Sequence, residues 1–357
     1  MSTDALHDEL RTVARQVLGK GDPDVAQLAA LGWLGLEVPE ALDGAGATFA
    51  EVAVVLEEMG RATTAGPFLA TAVLGVGTLT LLDPTPERDD LLRLVAGGGC
   101  RLAVAWAAPG FRVRDDGDGP RLDGRADLVA DAAGADRLLL VAHGADGAAV
   151  VQVSPGDEGV RVEARPVLDA TRSFARVTAD GAAIDPGSVW RFPGDPEVAV
   201  QRLRDRAAVA LACDSLGLSE AMLEATVAYA GVRKQFGRAI GSFQAVKHAC
   251  ADMLVQVSLG RELVRGAVDA LVADDPDAWV AASMAKAHMC GAAVDIAGKA
   301  MQLHGGVGYT WESGVHVFLK RATLDRAWFG SPAEHRRRIA ARYASMAQAG
   351  DRTVSFP

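Results

Sequence analysis

From Val198 to Leu303 the chain carries three long helical patterns in succession: about Val198 to Arg233, Ser242 to Ala273, and Asp277 to Leu303. Nothing else in the sequence restricts the fold as strongly. The first break is Arg233-Lys-Gln-Phe-Gly-Arg-Ala-Ile-Gly-Ser-Phe-Gln244, and the second is Asp274-Asp-Pro-Asp277. The third pattern stops at Gly305-Gly306, a helix-stop signal. Shorter helices are expected near 313–327 and 332–348. Long helices joined by short breaks predict an antiparallel four-helix bundle over residues 196–357.

Two other regions precede it. Residues 1–95 read as an N-terminal helical domain. Asp4–Leu18 and Pro23–Leu34 have apolar positions at three- and four-residue spacing. Thr48 with Glu51 forms a capping-box pattern for a helix through Met59. The run from Pro67 to Leu82 is hydrophobic nearly all round, so it is expected to be buried. Leu31–Glu40 reads as a turn leading into an extended piece. Residues 96–195 change character. Short β-type runs alternate with Gly, Asp and Pro: Arg101–Ala107, Leu122–Leu128, Arg137–Ala142, Ala148–Val153, Val160–Ala164 and Arg172–Val177. This spacing suggests a small middle β-barrel or sandwich. The fold class is α+β, mostly α.

Composition narrows the function. The formal net charge is −10, with no basic tail or stripe, which argues against nucleic acid and anionic membranes as partners. No apolar run is long enough to span a membrane, and the N-terminus lacks a signal-peptide pattern. Cys100, Cys213, Cys250 and Cys290 are scattered. They form no metal or redox pattern and fit a reducing cytoplasm. Small residues dominate two bundle faces: Ala207, Ala208, Ala210, Ala212 and Gly217 on one, and Ala281, Ala282, Ala285, Gly291, Ala292 and Ala293 on the other. Such faces permit close helix approach and suggest an oligomer.

The helix–β–bundle order, with Arg233–Gln244 and Met301-Gln-Leu-His-Gly-Gly-Val-Gly-Tyr309, resembles the acyl-CoA dehydrogenase family over the whole chain. Leu31–Glu40 and Glu51–Arg61 add a match to that family's N-terminal domain. The resemblance implies FAD as cofactor, an acyl-CoA as substrate and an electron-transfer flavoprotein as electron acceptor. It also implies a cofactor shared across a subunit interface. By the same resemblance Arg233 contacts the pyrophosphate, Phe236 packs on the cofactor, and Gln244 supplies an amide. Gln302, Gly305 and Gly306 complete the adenosine side. An Arg fork beside a glycine turn suits a phosphate chemically. The Gly pair is not a dinucleotide fingerprint, because no strand–GxGxxG–helix context surrounds it.

The chain departs from the family where the chemistry is done. Relatives keep a carboxylate base at one of two positions, which here hold Phe329 and Ala207. Asp205, Asp214, Glu312, Asp325 and Glu334 are the nearby acids to be weighed as substitutes. The loops that hold the flavin ring in the family read Val104-Ala-Trp-Ala-Ala-Pro-Gly110 and Leu128-Val-Ala-Asp131 here, without their hydroxyl donors. Lys320-Arg321 could meet phosphates or cap a helix. His248, His288, His304 and His316 show no metal-ligand pattern. Three readings follow. The first is the base-lacking subunit of a heterotetrameric acyl-CoA dehydrogenase, paired with a catalytic paralogue and acting on a bulky acyl chain such as a steroid side chain. The second is a homomeric enzyme with a relocated base. The third is a non-catalytic acyl-CoA-binding or assembly protein.

Overall fold

The computed structural model describes residues 3–106, 110–115, 117 and 119–350. The chain divides into two compact units. One comprises residues 1–55 and 64–204, and the other residues 56–63 and 205–357.

The first unit begins with α1 (Thr3–Leu18) and the short α2 (Val25–Ala30). Asp24 caps α2 in a complete capping box with Gln27. Leu31–Glu40 is not extended: it coils into 3₁₀ turns at Trp33–Gly35 and Glu40–Leu42. Burial of Trp33 and Leu34, each 1% exposed, explains the tight coil, and Trp33 meets Phe68 edge-on at 6.5 Å. Helix α3 (Phe49–Ala62) starts as its capping pattern foretells. The Thr48 backbone N–H and hydroxyl donate to Glu51 Oε2 at 2.9 and 2.8 Å. The apolar run beyond Pro67 is a π-type helix, Leu69–Val76, continued by α4 (Gly77–Leu79), and every residue in it is buried. It lies hard against the first strand. Thr71 Oγ1 accepts from Leu102 N–H at 3.1 Å, and a β-carbon on Gly75 would sit 2.8 Å from Leu102 Cβ. α5 (Pro86–Ala96) follows, capped by Thr85.

Eight strands then form one sheet: β1 (Leu102–Ala105), β2 (Phe111–Asp115), β3 (Pro120–Ala130), β4 (Arg137–Gly144), β5 (Gly147–Val153), β6 (Val160–Arg165), β7 (Phe174–Ala183) and β8 (Val189–Arg191). The hydrogen-bonded order is β6-β7-β3-β2-β4-β5-β8, with β1 beside β4. Among the described residues the path runs from β6 to β8 without closing, so the expected barrel is an open one. Its strands still share one core, including Phe111, Leu122, Leu138, Leu140, Val151 and Val177. β3 is bulged twice against β7, at Leu122/Gly124 and Ala126/Val129.

The second unit is the helical bundle: α6 (Pro196–Val232) from residue 205 on, α7 (Gln244–Val272), α8 (Ala278–His304), α9 (Val315–Ala327) and α10 (Pro332–Gly350). Glycines set its closest crossings. A β-carbon on Gly217 of α6 would lie 1.7 Å from Glu57 O, and one on Gly60 would lie 1.9 Å from Asp214 O. On α7, Gly260 leaves room for Met289 Sδ of α8. The small-residue faces are used inside the chain. Ala207, Ala210, Ala212, Ala282, Ala285 and Ala293 are all 0% exposed, so they offer no argument for an oligomer. Polar side chains pair within this packing. Arg321, fully buried, holds Asp214 through Nε at 2.8 Å and Nη2 at 2.5 Å. Fully buried and paired with Asp214, Arg321 is not placed to meet a phosphate from solvent. Lys286, also fully buried, donates to the Asp325 carbonyl. All four thiols are free. Among the described residues no helix is long and apolar enough to cross a membrane.

Candidate functional site

The two motifs of the sequence meet at one end of the bundle. After α6 the chain makes a two-residue-loop hairpin, β9 (Lys234–Gln235) with β10 (Arg238–Ala239). Phe236 and Gly237 at its tip have φ of 52° and 79°. Both are left-handed, the requirement of a type I′ turn. Ile240 N–H returns to Arg233 O at 2.8 Å and closes the loop. α7 then starts at Gln244, with Phe243 carrying Arg238 over its ring at 4.1 Å. Across from the hairpin, α8 ends at His304. Gly305 takes φ 62°, ψ −142°, a backbone shape reserved to glycine, and its N–H caps back onto Gln302 O.

Between these ends lies a groove of about 510 Å³, lined by Tyr229, Arg233, Gln235, Ile240, Leu303, His304, Gly305, Gly306, Val307 and Thr310. Arg233, Gly305 and Gly306 are thus brought together. Phe236, Gln244 and Gln302 are exposed on the same elements but do not line the groove. Phe236 is 92% exposed. The Arg233 guanidinium has no ion-pair or hydrogen-bond partner within the protein among the described residues, and neither do the nearby side chains of Lys234 and Lys247. In a chain of net charge −10, the groove thus has one guanidinium on its wall that the protein itself does not neutralise. Sequence reasoning assigned no site role to seven of its residues, Tyr229 and His304 among them. Those two stack at 4.5 Å and 19° across a separation of 75 residues, which no local pattern could reveal. Nearby, Trp311 is 77% exposed, edge-on to His316 at 4.5 Å, with Lys320 Nζ 5.0 Å from its ring centre.

The positions at which a base is expected hold carbon. Ala207 is 0% exposed. Phe329 is half-buried at φ 56° and stacked on Trp328 at 4.4 Å. His335 Nε2 donates to its carbonyl at 3.0 Å, and burial holds the His335 ring below the usual imidazole value. Three of the nearby acids, Asp205, Asp214 and Glu334, are engaged elsewhere. Arg338 holds Asp205 in a two-point pair at 2.5 and 3.1 Å. Asp214 is committed to Arg321. Asp325 is fully buried, its Oδ2 3.5 Å from Ser215 Oγ. Glu334 caps α10 through the Ser331 hydroxyl and N–H, which lower its carboxyl pKa. Glu312 lies exposed on the loop before α9.

Of the two loops expected against the flavin, Ala107–Pro109 lie outside the described residues. The other, Leu128–Asp131, sits on the second bulge of β3. Leu128 and Asp131 are left-handed there, at φ 56° and 54°, and Asp131 N–H donates to Ser173 O at 2.9 Å. Burial raises the Asp131 carboxyl pKa to about 6, partly opposed by Arg172.

Comparison with known proteins points to one family at both ends of the chain. The model of the acyl-CoA dehydrogenase C-terminal domain matches residues 197–344, and that of the N-terminal domain matches residues 3–85. The acyl-CoA dehydrogenase IpdE2 of Mycolicibacterium smegmatis is 30% identical over 322 residues, 90% of this chain and 88% of that protein. Among solved structures, the ChsE4-ChsE5 complex from Mycobacterium tuberculosis includes a chain that superposes with a TM-score of 0.87 at 27% identity, covering 96% of this chain and 98% of the other. A Tcur3481-Tcur3483 steroid ACAD variant gives 0.86 at 28%, covering 97% and 100%.

Proposed function

Because the chain belongs to the acyl-CoA dehydrogenase family, we propose that it is a subunit of a flavin-dependent acyl-CoA dehydrogenase, contributing the adenosine side of an FAD site to a catalytic partner. The observation that carries this reading is the unpaired Arg233 on the wall of a groove whose other side is the Gly305-Gly306 backbone. A planar donor fork beside a backbone that a ligand can approach closely fits a diphosphate. When bound, FAD supplies the hydride acceptor for α,β-dehydrogenation of a CoA thioester.

The chain's own groups divide the work unevenly. Arg233 binds the diphosphate, and the Gly305-Gly306 turn lets its backbone come close. Gln244 and Gln302 stand at the adjoining helix ends. Phe236, held out at a hairpin tip, packs against the neighbouring subunit or the cofactor it holds. Neither Ala207 nor Phe329 can take a proton from the acyl chain. Asp205, Asp214 and Glu334 are held by their own partners and Asp325 is fully buried, which supports a base from the other subunit and leaves the exposed Glu312 as the substitute that a homomeric enzyme would need. The exposed apolar side chains Leu254, Val255 and Leu259 of α7 replace the small-residue faces as the argument for assembly. The likeness to a complex of two different chains supports a heterotetramer, and the likeness to a steroid ACAD supports a bulky acyl-CoA substrate. An electron-transfer flavoprotein is the electron acceptor, and the assembly works in the cytoplasm.

Purification decides it. Co-expressed with a catalytic paralogue, the chain is expected in a yellow complex that reduces dye with an acyl-CoA, while alone it is inactive. Dye reduction by the chain alone establishes a homomeric enzyme instead. A protein that is colourless and monomeric at 37.1 kDa with and without the paralogue ends the subunit reading.

A further inference from the structure

The groove holds a second polar group of fixed chemistry. His304 is 9% exposed, and its Nδ1 lies 2.8 Å from Ala300 O. A carbonyl can only accept, so the hydrogen of that bond belongs to Nδ1. Tyr229 stacks on the ring and donates its hydroxyl to the His304 carbonyl at 3.3 Å. The ring bond, the stack and the backbone bond together hold the side chain in one orientation. A neutral imidazole with its proton on Nδ1 presents a lone pair at Nε2. Among the described residues no protein donor meets that lone pair, and His304 is one of the residues that line the groove with Arg233.

We propose that His304 Nε2 makes the groove selective for a nucleoside diphosphate over a bare diphosphate. The proposal rests on the reading of the groove as the adenosine end of a dinucleotide site. Arg233 carries only donors, and diphosphate oxygens only accept, so Arg233 fixes the phosphates without reading what is attached to them. His304 needs the opposite partner, an O–H or N–H. A ribose hydroxyl or an adenine amino group supplies one, whereas a bare diphosphate supplies none once its last P–OH proton has ionised. One fixed donor fork and one fixed acceptor therefore recognise both halves of ADP. A ligand that covers this acceptor without offering it a donor leaves it unpaired and is disfavoured.

The test is calorimetric binding of ADP and of inorganic pyrophosphate to the full chain and three variants, at a pH above the last ionisation of pyrophosphate, where its oxygens only accept. Wild type binds ADP more tightly than pyrophosphate. Arg233→Gln weakens both ligands by on the order of tenfold or more, as expected for a charge-assisted contact. His304→Phe keeps the ring on Tyr229 and loses the lone pair. It weakens ADP by about three- to tenfold, the range for one neutral hydrogen bond, and leaves pyrophosphate unchanged. His304→Gln restores an acceptor and recovers ADP binding. Equal losses of both ligands in His304→Phe, or no loss of either, overturn the proposal while leaving the groove reading intact. If wild type binds neither ligand, or Arg233→Gln changes nothing, the groove reading itself fails and takes the proposal with it.

Discussion

Replacing Gly217 with alanine should destabilise the protein, although alanine is the better helix former. A β-carbon at 217 would fall 1.7 Å from Glu57 O, 2.6 Å from Glu57 C and 3.0 Å from Arg61 N. All three atoms are backbone of α3, so no side chain can swing away and the two helices must part. Overpacking of this kind costs roughly 1–3 kcal/mol when side chains can adjust, and more when they cannot. The glycine-to-alanine gain in a helix interior is about 1 kcal/mol, so a net loss of about 2 kcal/mol is expected. Gly231, near the end of the same helix, has nothing within 4 Å of its would-be β-carbon. There the same substitution should stabilise by about 0.5 kcal/mol. Urea unfolding of both variants against wild type gives the two signs directly. A Gly217→Ala protein as stable as wild type, or changes of the same sign at both positions, would refute the close α3–α6 crossing. Arg233 follows the last turn of α6, so a displaced α6 should also shift the groove's free cation.

Two further outcomes test the charged interior. Asp131→Asn should raise the melting temperature at pH 7 and leave it unchanged at pH 4. The folded carboxyl titrates near 6 against an ordinary 3.8, so the wild-type penalty develops as pH rises between those values. Two pH units correspond to at most about 3 kcal/mol, and the half-buried position reduces this to roughly 1–2; an equal gain at both pH values would refute the assignment. Asp214→Asn strands a fully buried guanidinium and should cost about 3–5 kcal/mol, whereas Asp214→Leu with Arg321→Met should come close to wild type. Denaturant midpoints separate the two, and equal losses would contradict that reading of the pair.

The long elements were legible because their ends carry their own chemistry. Gly305 needs a backbone angle only glycine adopts readily, Asp274-Asp-Pro-Asp277 cannot continue a helix, and Thr48 with Glu51 closes a capping box. Arg233 and the glycine pair were legible for the same local reason. What escaped depends on residues far apart in sequence. β2 (Phe111–Asp115) alternates charged and apolar residues among turn-formers, and β8 is three residues long. Neither reads as a strand until a neighbour pairs with it. The coil at Trp33 is set by burial against Phe68, and the Tyr229–His304 stack joins two helix ends. Alanine-rich faces were misjudged for a general reason. Small residues permit close approach of helices from one chain or from two, and composition does not distinguish them.

Trp311 gives the molecule an optical handle on its own site. Trp33 and Trp190 are 1% and 2% exposed, and Trp106, Trp279 and Trp328 are partly covered, whereas Trp311 stands 77% in solvent. Iodide quenching is expected to affect it first, and its emission is expected to be the most red-shifted of the six. It follows Thr310, a wall residue of the groove. The proposed binding of a nucleotide in that groove is therefore expected to change the intrinsic fluorescence, a readout that needs neither a label nor a turnover assay.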